Sequence, residues 1–178
     1  MPAREHAEPV QIARGRGALG VEELRRAFGT FATGVTIITT RDAQGRLYGL
    51  TANSFSSVSL DPPLVLWSLA RRAGSYPAFR EATAFGVSVL GGEHRELSAR
   101  FARPHPDKFA GIAYTLGEHG VPLIGGAAAH FECRVEHRYE GGDHVIFVGR
   151  VERFDYVVKP TLLFCHGKYV TAQELSDA

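Results

Sequence analysis

The pattern of apolar and polar residues changes its period along the first half of the chain and predicts several short elements. Apolar residues recur at helical spacing over 21–31, which indicates a short amphipathic helix. β-Branched residues then fill 35–40 and predict a strand, and a turn leads to a returning strand over 47–54. After Pro62-Pro63, the apolar run 64–69 predicts a strand that is buried on both faces.

The second half of the chain continues with short helices and strands. Segments 75–82 and 93–102 have helical character, and a Pro- and Gly-rich loop is predicted over 103–126. Strands are predicted at 85–90, 131–139, 145–154 and 162–164, with the middle two forming a hairpin. Six or seven short strands with few helices are typical of a closed antiparallel barrel, so we expect a mainly β fold with a few flanking helices.

Composition and charge narrow the classes of function. The chain has 178 residues, of which 44% are apolar, and we expect one domain at 21–172 between a flexible arm at 1–20 and a tail at 173–178. The formal net charge of +1 predicts no nucleic-acid partner and no membrane-surface partner. No leader and no membrane span are recognisable, so we expect a cytoplasmic protein. Two cysteines, and histidines without ligand-like spacing, predict no metal site.

Small and hydroxylated residues crowd the end of the strand predicted at 47–54. Gly49 and Ala52 would let a flat ligand approach the backbone, while Thr51, Asn53 and Ser54 offer hydrogen bonds to a polar ligand. A Ser/Thr-rich strand edge without a ligand is the competing interpretation, and composition alone favours it.

Two further segments carry candidate chemistry. Residues 68–75 combine hydroxyls, the pair Arg71-Arg72 and a predicted helix start, which suits a phosphate as well as it suits a solvated basic loop. Residues 141–144 would place the imidazole of His144 at a hairpin tip, where it could touch a substrate. Taken alone, a plain turn with an exposed histidine is the simpler interpretation of that tip.

Together and in this order, the segments resemble the flavin reductase family with the FMN-binding split barrel, whose members supply reduced flavin to two-component monooxygenases. The resemblance covers about residues 21–170. It implies an antiparallel Greek-key split barrel, a homodimer, FMN or FAD, and NADH or NADPH as co-substrate. The pieces that carry it are FGTFATGVTIITT (28–40), GLTANSFSS (49–57), LDPPLV (60–65), SARF (98–101), DKF (107–109), GGDH (141–144) and PTLLF (160–164).

The resemblance also implies which residues bind the flavin. Backbone groups of residues 49–52 would bind the ring edge, Asn53 and Ser54 the ribityl chain or phosphate, and Arg100 would pair with phosphate charge. The full implied set is Leu47, Tyr48, Gly49, Leu50, Thr51, Ala52, Asn53, Ser54, Ser68, Leu69, Ala70, Gly74, Ser75, Arg100 and Phe101.

The nicotinamide contacts are implied at His144, which is also the implied catalytic residue, and at Phe164, Cys165, His166 and Gly167. Relatives often carry an aromatic residue at the place of Cys165 and a basic one at that of His166, so the choice between NADH and NADPH stays open. Hydride would pass from nicotinamide C4 to flavin N5, and the protein would supply positioning and electrostatics. Donors near the pyrimidine end of the ring would stabilise the anionic reduced flavin.

Three alternatives are compatible with the same segments. A flavin-dependent oxidase could use this barrel with a permanently bound flavin and its own organic substrate, although the Gly-Asp-His tip favours nicotinamide. A non-enzymatic flavin-binding or haem-binding module and a structural barrel without a ligand are the other two.

Overall fold

The computed structural model describes residues 20–172. The predicted arm, apart from Gly20, and the predicted tail fall outside the described residues, so both stay predictions. The helices are α1 (Val21–Phe28), α2 (Tyr76–Glu81) and α3 (Arg95–Ala102), the last preceded by a 3₁₀ turn at Gly92–His94. The strands are β1 (Thr33–Gly34), β2 (Thr36–Arg41), β3 (Leu47–Ala52), β4 (Ser56–Leu60), β5 (Pro63–Ala70), β6 (Ala84–Val89), β7 (Tyr114–Leu116), β8 (Pro122–Ile124), β9 (Ala129–Gly141), β10 (His144–Tyr156), β11 (Leu162–Cys165) and β12 (Lys168–Thr171).

Seven of the strands form one antiparallel sheet in the order β3-β2-β6-β9-β10-β5-β4. A three-stranded sheet, β1-β11-β12, and the pair β7-β8 complete the pairing. Within residues 20–172, no strand pairing joins β3 to β4, the two outer strands of the large sheet. The fold is therefore mainly β with antiparallel sheets, and the split barrel stays a prediction.

The large sheet is curved around an aromatic core. The ring of Trp67 on β5 stacks on that of Phe147 on β10 with centroids 4.8 Å apart, and its edges meet Phe79 and Phe85. Residues from β2, β3, β5, β6, β9 and β10 contribute to this one buried cluster. Strands from both ends of a seven-stranded sheet can share a core only when the sheet bends toward itself. Each fully buried Phe side chain contributes about 2–3 kcal/mol to this core.

Helix α3 packs directly on β3, the outer strand of the sheet. Phe101 of α3 is fully buried, and a Cβ added to Gly49 would lie 2.6 Å from Cε1 of Phe101. Only glycine therefore allows this close approach of helix and strand. The hydroxyl of Thr51 donates to the carbonyl of Ser98 at 2.6 Å and ties the same two elements together.

Some predicted elements differ from the structure. The interpretation of 64–69 as buried on both faces is wrong, because β5 buries alternate residues while Leu64 and Leu66 are half-buried. The loop predicted at 103–126 contains the three-residue strands β7 and β8, which are too short to show a period. The helix predicted over 21–31 ends at Phe28, and β4 was not predicted.

No helix within residues 20–172 combines the length and the apolar character that a membrane crossing needs.

Candidate functional site

A cavity of about 670 Å³ lies beside β3, between that strand, the loop that follows β5 and the segment that follows α3. Sites for small molecules typically measure about 300–1,000 Å³. We call residues 103–109 the strap, because they run along one side of this cavity. The lining consists of residues 47–51, Ala70, residues 72–75, residues 101–102 and the strap.

The backbone of β3 offers hydrogen-bonding groups to this cavity. As the outer strand of the large sheet, β3 pairs with β2 and with no other strand of residues 20–172. The carbonyl of Gly49 accepts a hydrogen bond from Lys108 and therefore points away from β2. Because the direction of backbone groups alternates along a strand, those of Leu47 and Thr51 point the same way. A flat ligand lying along β3 could bind these groups.

The strap is held in place by charge-assisted hydrogen bonds. The guanidinium of Arg100 donates to the carbonyls of Asp107 at 2.9 Å and Ala110 at 2.8 Å. The carboxylate of Asp107 accepts from the backbone N–H groups of Phe109 and Ala110, both at 3.0 Å. These contacts give the strap a defined conformation against the end of α3.

Positive charge predominates around the cavity. Arg72, Arg103 and Lys108 line it, and none of the three forms an ion pair with any residue the structure describes. Arg71, by contrast, pairs with Glu140 and does not line the cavity. Burial lowers the pKa of the Lys108 ammonium below its usual value. The cavity therefore suits a ligand that carries negative charge.

Nine of the residues implied for flavin binding line this one cavity, although they come from three separate parts of the chain. Gly49 has a second reason for its small size, namely the ring of Phe101, and Phe101 itself is a core residue. The nine are Leu47, Tyr48, Gly49, Leu50, Thr51, Ala70, Gly74, Ser75 and Phe101.

Six implied flavin-binding residues do not line the cavity: Ala52, Asn53, Ser54, Ser68, Leu69 and Arg100. Ala52 and Leu69 are buried in the core. The hydroxyl of Ser54 accepts from the backbone N–H of Ser68 at 2.9 Å, so these two residues connect the end of β3 to β5. Arg100 tethers the strap, and its pairing with a phosphate stays a prediction.

His144 starts β10 directly after a two-residue turn. Gly142 in that turn has φ of 71°, a conformation that glycine adopts readily. Nδ1 of His144 lies 2.6 Å from Oδ1 of Asp143, and this hydrogen bond lowers the pKa of the Asp143 carboxyl. In the ladder between β10 and β5, His144 is opposite Ala70, a residue of the cavity lining. The half-exposed imidazole therefore belongs to the neighbourhood of the cavity.

The implied nicotinamide segment lies at a second cavity of about 680 Å³. Phe164, Gly167 and Asn53 line it, together with Phe28 and other residues of 25–33. Cys165 and His166 are not part of this lining, and the backbone N–H of His166 donates to the carbonyl of Gly29 at 2.6 Å. His144 does not line it either. The structure thus does not bring the whole implied nicotinamide set into one cavity, and that set stays a prediction.

Sequence reasoning missed two of the three cations that line the cavity. Arg72 was considered as part of the pair Arg71-Arg72, whereas Arg103 was not considered and Lys108, in the DKF motif, received no role. The available signal was the position of Lys108 between an acidic and an aromatic residue in the DKF motif. Nothing local indicates that its ammonium reaches Gly49, 59 positions away.

Comparisons with known proteins show which family the chain resembles. A family model described as a flavin reductase like domain matches residues 28–173. An FMN reductase (NADH) of Agrobacterium fabrum is 43% identical over 86% of this chain and 87% of its own length. The solved structure of an NADH:FAD oxidoreductase of Streptomyces globisporus, in complex with NAD and FAD fragments, is 40% identical with a TM-score of 0.83, and the match covers 88% of this chain and 94% of that one.

The name of a third relative describes it as one component of a monooxygenase. The reductase component of a flavin-dependent trigonelline monooxygenase of Acinetobacter baylyi is 42% identical over 88% of this chain. The chain spans about half the length of the first curated relatives it matches, 48% of one and 50% of the other. The family model covers most of the chain, and the Agrobacterium relative is matched over most of its own length. The chain therefore belongs to the flavin reductase family.

Proposed function

We propose that this chain is an NAD(P)H:flavin oxidoreductase that reduces FMN or FAD and supplies the reduced flavin to a partner monooxygenase. The observation that carries the proposal is the cavity beside β3. The outer strand β3 turns backbone groups toward it, and Arg72, Arg103 and Lys108 line it without an ion-pair partner among the described residues. A flat ring with an anionic tail matches both features. Relatives named as NADH-dependent reductases of FMN and of FAD support NADH as the co-substrate.

The binding roles follow from the chemistry of the lining. The backbone of residues 47–51 would run along the ring, and the outward groups of Gly49 and Thr51 would bind its polar edge. Gly74 and Ser75, with the charge of Arg72 and Arg103, would bind the phosphate end. When bound, flavin supplies the redox chemistry by accepting hydride from the nicotinamide, so the protein needs no covalent nucleophile.

The role proposed for His144 is to position the nicotinamide. The Asp143 carboxylate accepts the Nδ1–H of His144, which fixes the ring orientation and leaves Nε2 available for a ligand. The backbone N–H of Arg71 donates to the carbonyl of Asp143 at 3.0 Å, so the tip is fixed to the loop that follows β5. An oriented imidazole beside Ala70 can contribute through geometry, since correct positioning accounts for much of the rate of hydride transfer.

The assembly is part of the same proposal. The shared core between the two halves of the large sheet supports a split barrel. Exposed aromatic and apolar side chains support a homodimer, and Phe31, Phe154, Tyr156 and Val158 are each more than 65% exposed. The relatives named as reductase components of monooxygenases support a monooxygenase partner. A cytoplasmic location remains a prediction from the sequence.

The experiment is a steady-state assay of the purified protein with excess FMN or FAD under air, followed at the nicotinamide absorbance. We expect continuous oxidation of NADH or NADPH that depends on the flavin concentration. The absence of oxidation in all four pairings of flavin and nicotinamide would overturn the proposed activity. A flavin that stays bound and turns over only with a separate organic substrate would instead identify the oxidase alternative.

A further inference from the structure

The side chain of Lys108 connects the strap to two other elements at the cavity. Its ammonium donates to the carbonyl of Gly49 on β3 at 3.1 Å and to the carbonyl of Phe101 at the end of α3 at 2.7 Å. The same nitrogen lies 6.0 Å from the centre of the Phe101 ring. An ammonium has three N–H groups, so one donor remains after these two hydrogen bonds. The charge of Lys108 is thereby fixed at the polar edge of β3.

No carboxylate among residues 20–172 forms an ion pair with this cation. The carboxylate of the adjacent Asp107, which also lines the cavity, accepts the backbone N–H groups of Phe109 and Ala110 instead. Burial lowers the pKa of Lys108, because removing the ammonium from water disfavours its charged form. A partly buried charge of this kind is stabilised when an anion arrives within a few ångströms.

We propose that Lys108 stabilises the negative charge that the flavin ring acquires on reduction, and that it therefore favours the reduced over the oxidised form in the cavity. The inference rests on the proposed function, since it needs a flavin whose ring edge lies along Gly49 and Thr51. Lys108 would touch the pyrimidine edge of the ring, where the added charge is concentrated. A positive charge at that edge is one of the recognised ways in which a protein tunes a flavin.

The charge balance of the reaction gives Lys108 its role. A hydride carries two electrons and one proton, so NADH and neutral flavin yield NAD⁺ and a singly anionic reduced flavin. The C4–H bond of the nicotinamide breaks and an N–H bond forms on the flavin, while Lys108 keeps its proton throughout. The ammonium thus faces a neutral ring before the transfer and an anionic ring after it, and only the second state gains a full ion pair.

A competing role for Lys108 is to bind the phosphate, which has the same charge in both redox states of the flavin. The contact with Gly49 argues against this role, since the phosphate end is proposed at Gly74, Ser75 and the neighbouring arginines. The two roles differ in a measurable way: a phosphate contact affects both redox states equally, whereas a contact with the ring edge affects mainly the reduced state.

The test compares Lys108→Gln with Lys108→Arg. Glutamine keeps an N–H donor for the carbonyl of Gly49 but has no charge, while arginine keeps the charge. Arg153→Gln is the matched control, because Arg153 pairs with Glu118 and does not line the cavity. The dissociation constants of oxidised flavin and of chemically reduced flavin are measured under anaerobic conditions, and thermal unfolding is used to check that each variant folds.

We expect Lys108→Gln to weaken binding of reduced flavin by about tenfold or more. Tenfold corresponds to a loss of ~1.4 kcal/mol of binding free energy, the size expected for one charge-assisted hydrogen bond. Binding of oxidised flavin should change by no more than about twofold, and Lys108→Arg should restore most of the preference. Equal weakening of both forms, or no weakening, would overturn the role of Lys108 while leaving the proposed function intact. Wild-type protein that binds neither form would overturn the proposed function itself.

Discussion

His144 lies opposite Ala70 in the antiparallel ladder between β10 and β5, and Ala70 lines the cavity beside β3. A ladder position is set by the backbone, so this relationship does not depend on the rotamer of the imidazole. The turn at Gly142-Asp143 and the hydrogen bond from Arg71 to the Asp143 carbonyl hold the tip at this place. The hairpin tip is thereby held next to a residue of the cavity lining.

Substitution of His144 by alanine separates nicotinamide positioning from flavin binding. We expect His144→Ala to lower kcat/KM for NADH by about tenfold or more, the effect of losing about 1.4 kcal/mol of transition-state positioning. The dissociation constant of oxidised flavin should change by no more than about twofold, because His144 is not among the residues that line the cavity. Stopped-flow reduction and flavin titration give the two quantities. An equal loss of flavin affinity would show that His144 contacts the flavin instead.

Arg100 provides a second test, because two roles are available to it. One nitrogen of its guanidinium, Nη2, already donates to the carbonyls of Asp107 and Ala110. We therefore expect Arg100→Ala to lower the stability of the protein by about 1–3 kcal/mol and to weaken flavin binding through disorder of the strap. The dependence of flavin affinity on salt concentration should stay as in the wild type. A clearly weaker salt dependence in the variant would instead identify Arg100 as a phosphate ligand.

The buried carboxylate of Glu132 holds the turn at 117–120, so we expect a single small substitution in that turn to lower the stability of the protein. Glu132 is only 3% exposed, and its carboxylate accepts the backbone N–H groups of Glu118 at 3.0 Å and His119 at 2.5 Å. A Cβ added to Gly117 would lie 2.6 Å from this carboxylate. We expect Gly117→Ala to lower the free energy of unfolding by about 1–3 kcal/mol in urea titrations.

The control for this substitution is Gly74→Ala. A Cβ added to Gly74 meets no atom within 4 Å, so the same chemical change should have little effect there. If Gly117→Ala is as stable as Gly74→Ala, the carboxylate does not hold the turn in the way described.

Ion pairs on β9 and β10 predict the response to acid. The hydrogen bond from Arg150 lowers the pKa of the Glu136 carboxyl below its ordinary value. A carboxyl whose pKa is lower in the folded state stabilises the protein above its unfolded-state pKa, and this contribution is lost as the pH falls through the folded-state pKa. The melting temperature of Glu136→Gln should therefore be lower than that of the wild type near neutral pH, and the difference should vanish in strong acid. A constant difference across the pH range would contradict this.

The elements with a strong period could be predicted from the sequence. The β-branched run at 35–40 corresponds to β2, and the long hairpin corresponds to β9 and β10. β4 could not be predicted, because three of its five residues are serines and its two apolar residues, Val58 and Leu60, are exposed. The contact of Lys108 with Gly49 could not be predicted either, since it depends on the packing of α3 against β3 over 59 positions of sequence. Motif order named nine of the residues that line the cavity, whereas the position of the Lys108 charge beside Gly49 depends on the fold.

The most direct test of the central claim, that flavin is bound and reduced in the cavity beside β3, is the flavin KM of Gly74→Trp relative to Gly74→Ala, measured in the NADH oxidation assay. Gly74 lines the cavity and has open space around it, so an indole ring should fill the cavity without disturbing the fold. We predict a flavin KM raised by about tenfold or more in Gly74→Trp and by clearly less in Gly74→Ala, because a methyl group occupies far less of the cavity than an indole ring. An unchanged flavin KM in folded Gly74→Trp would mean that the flavin binds elsewhere.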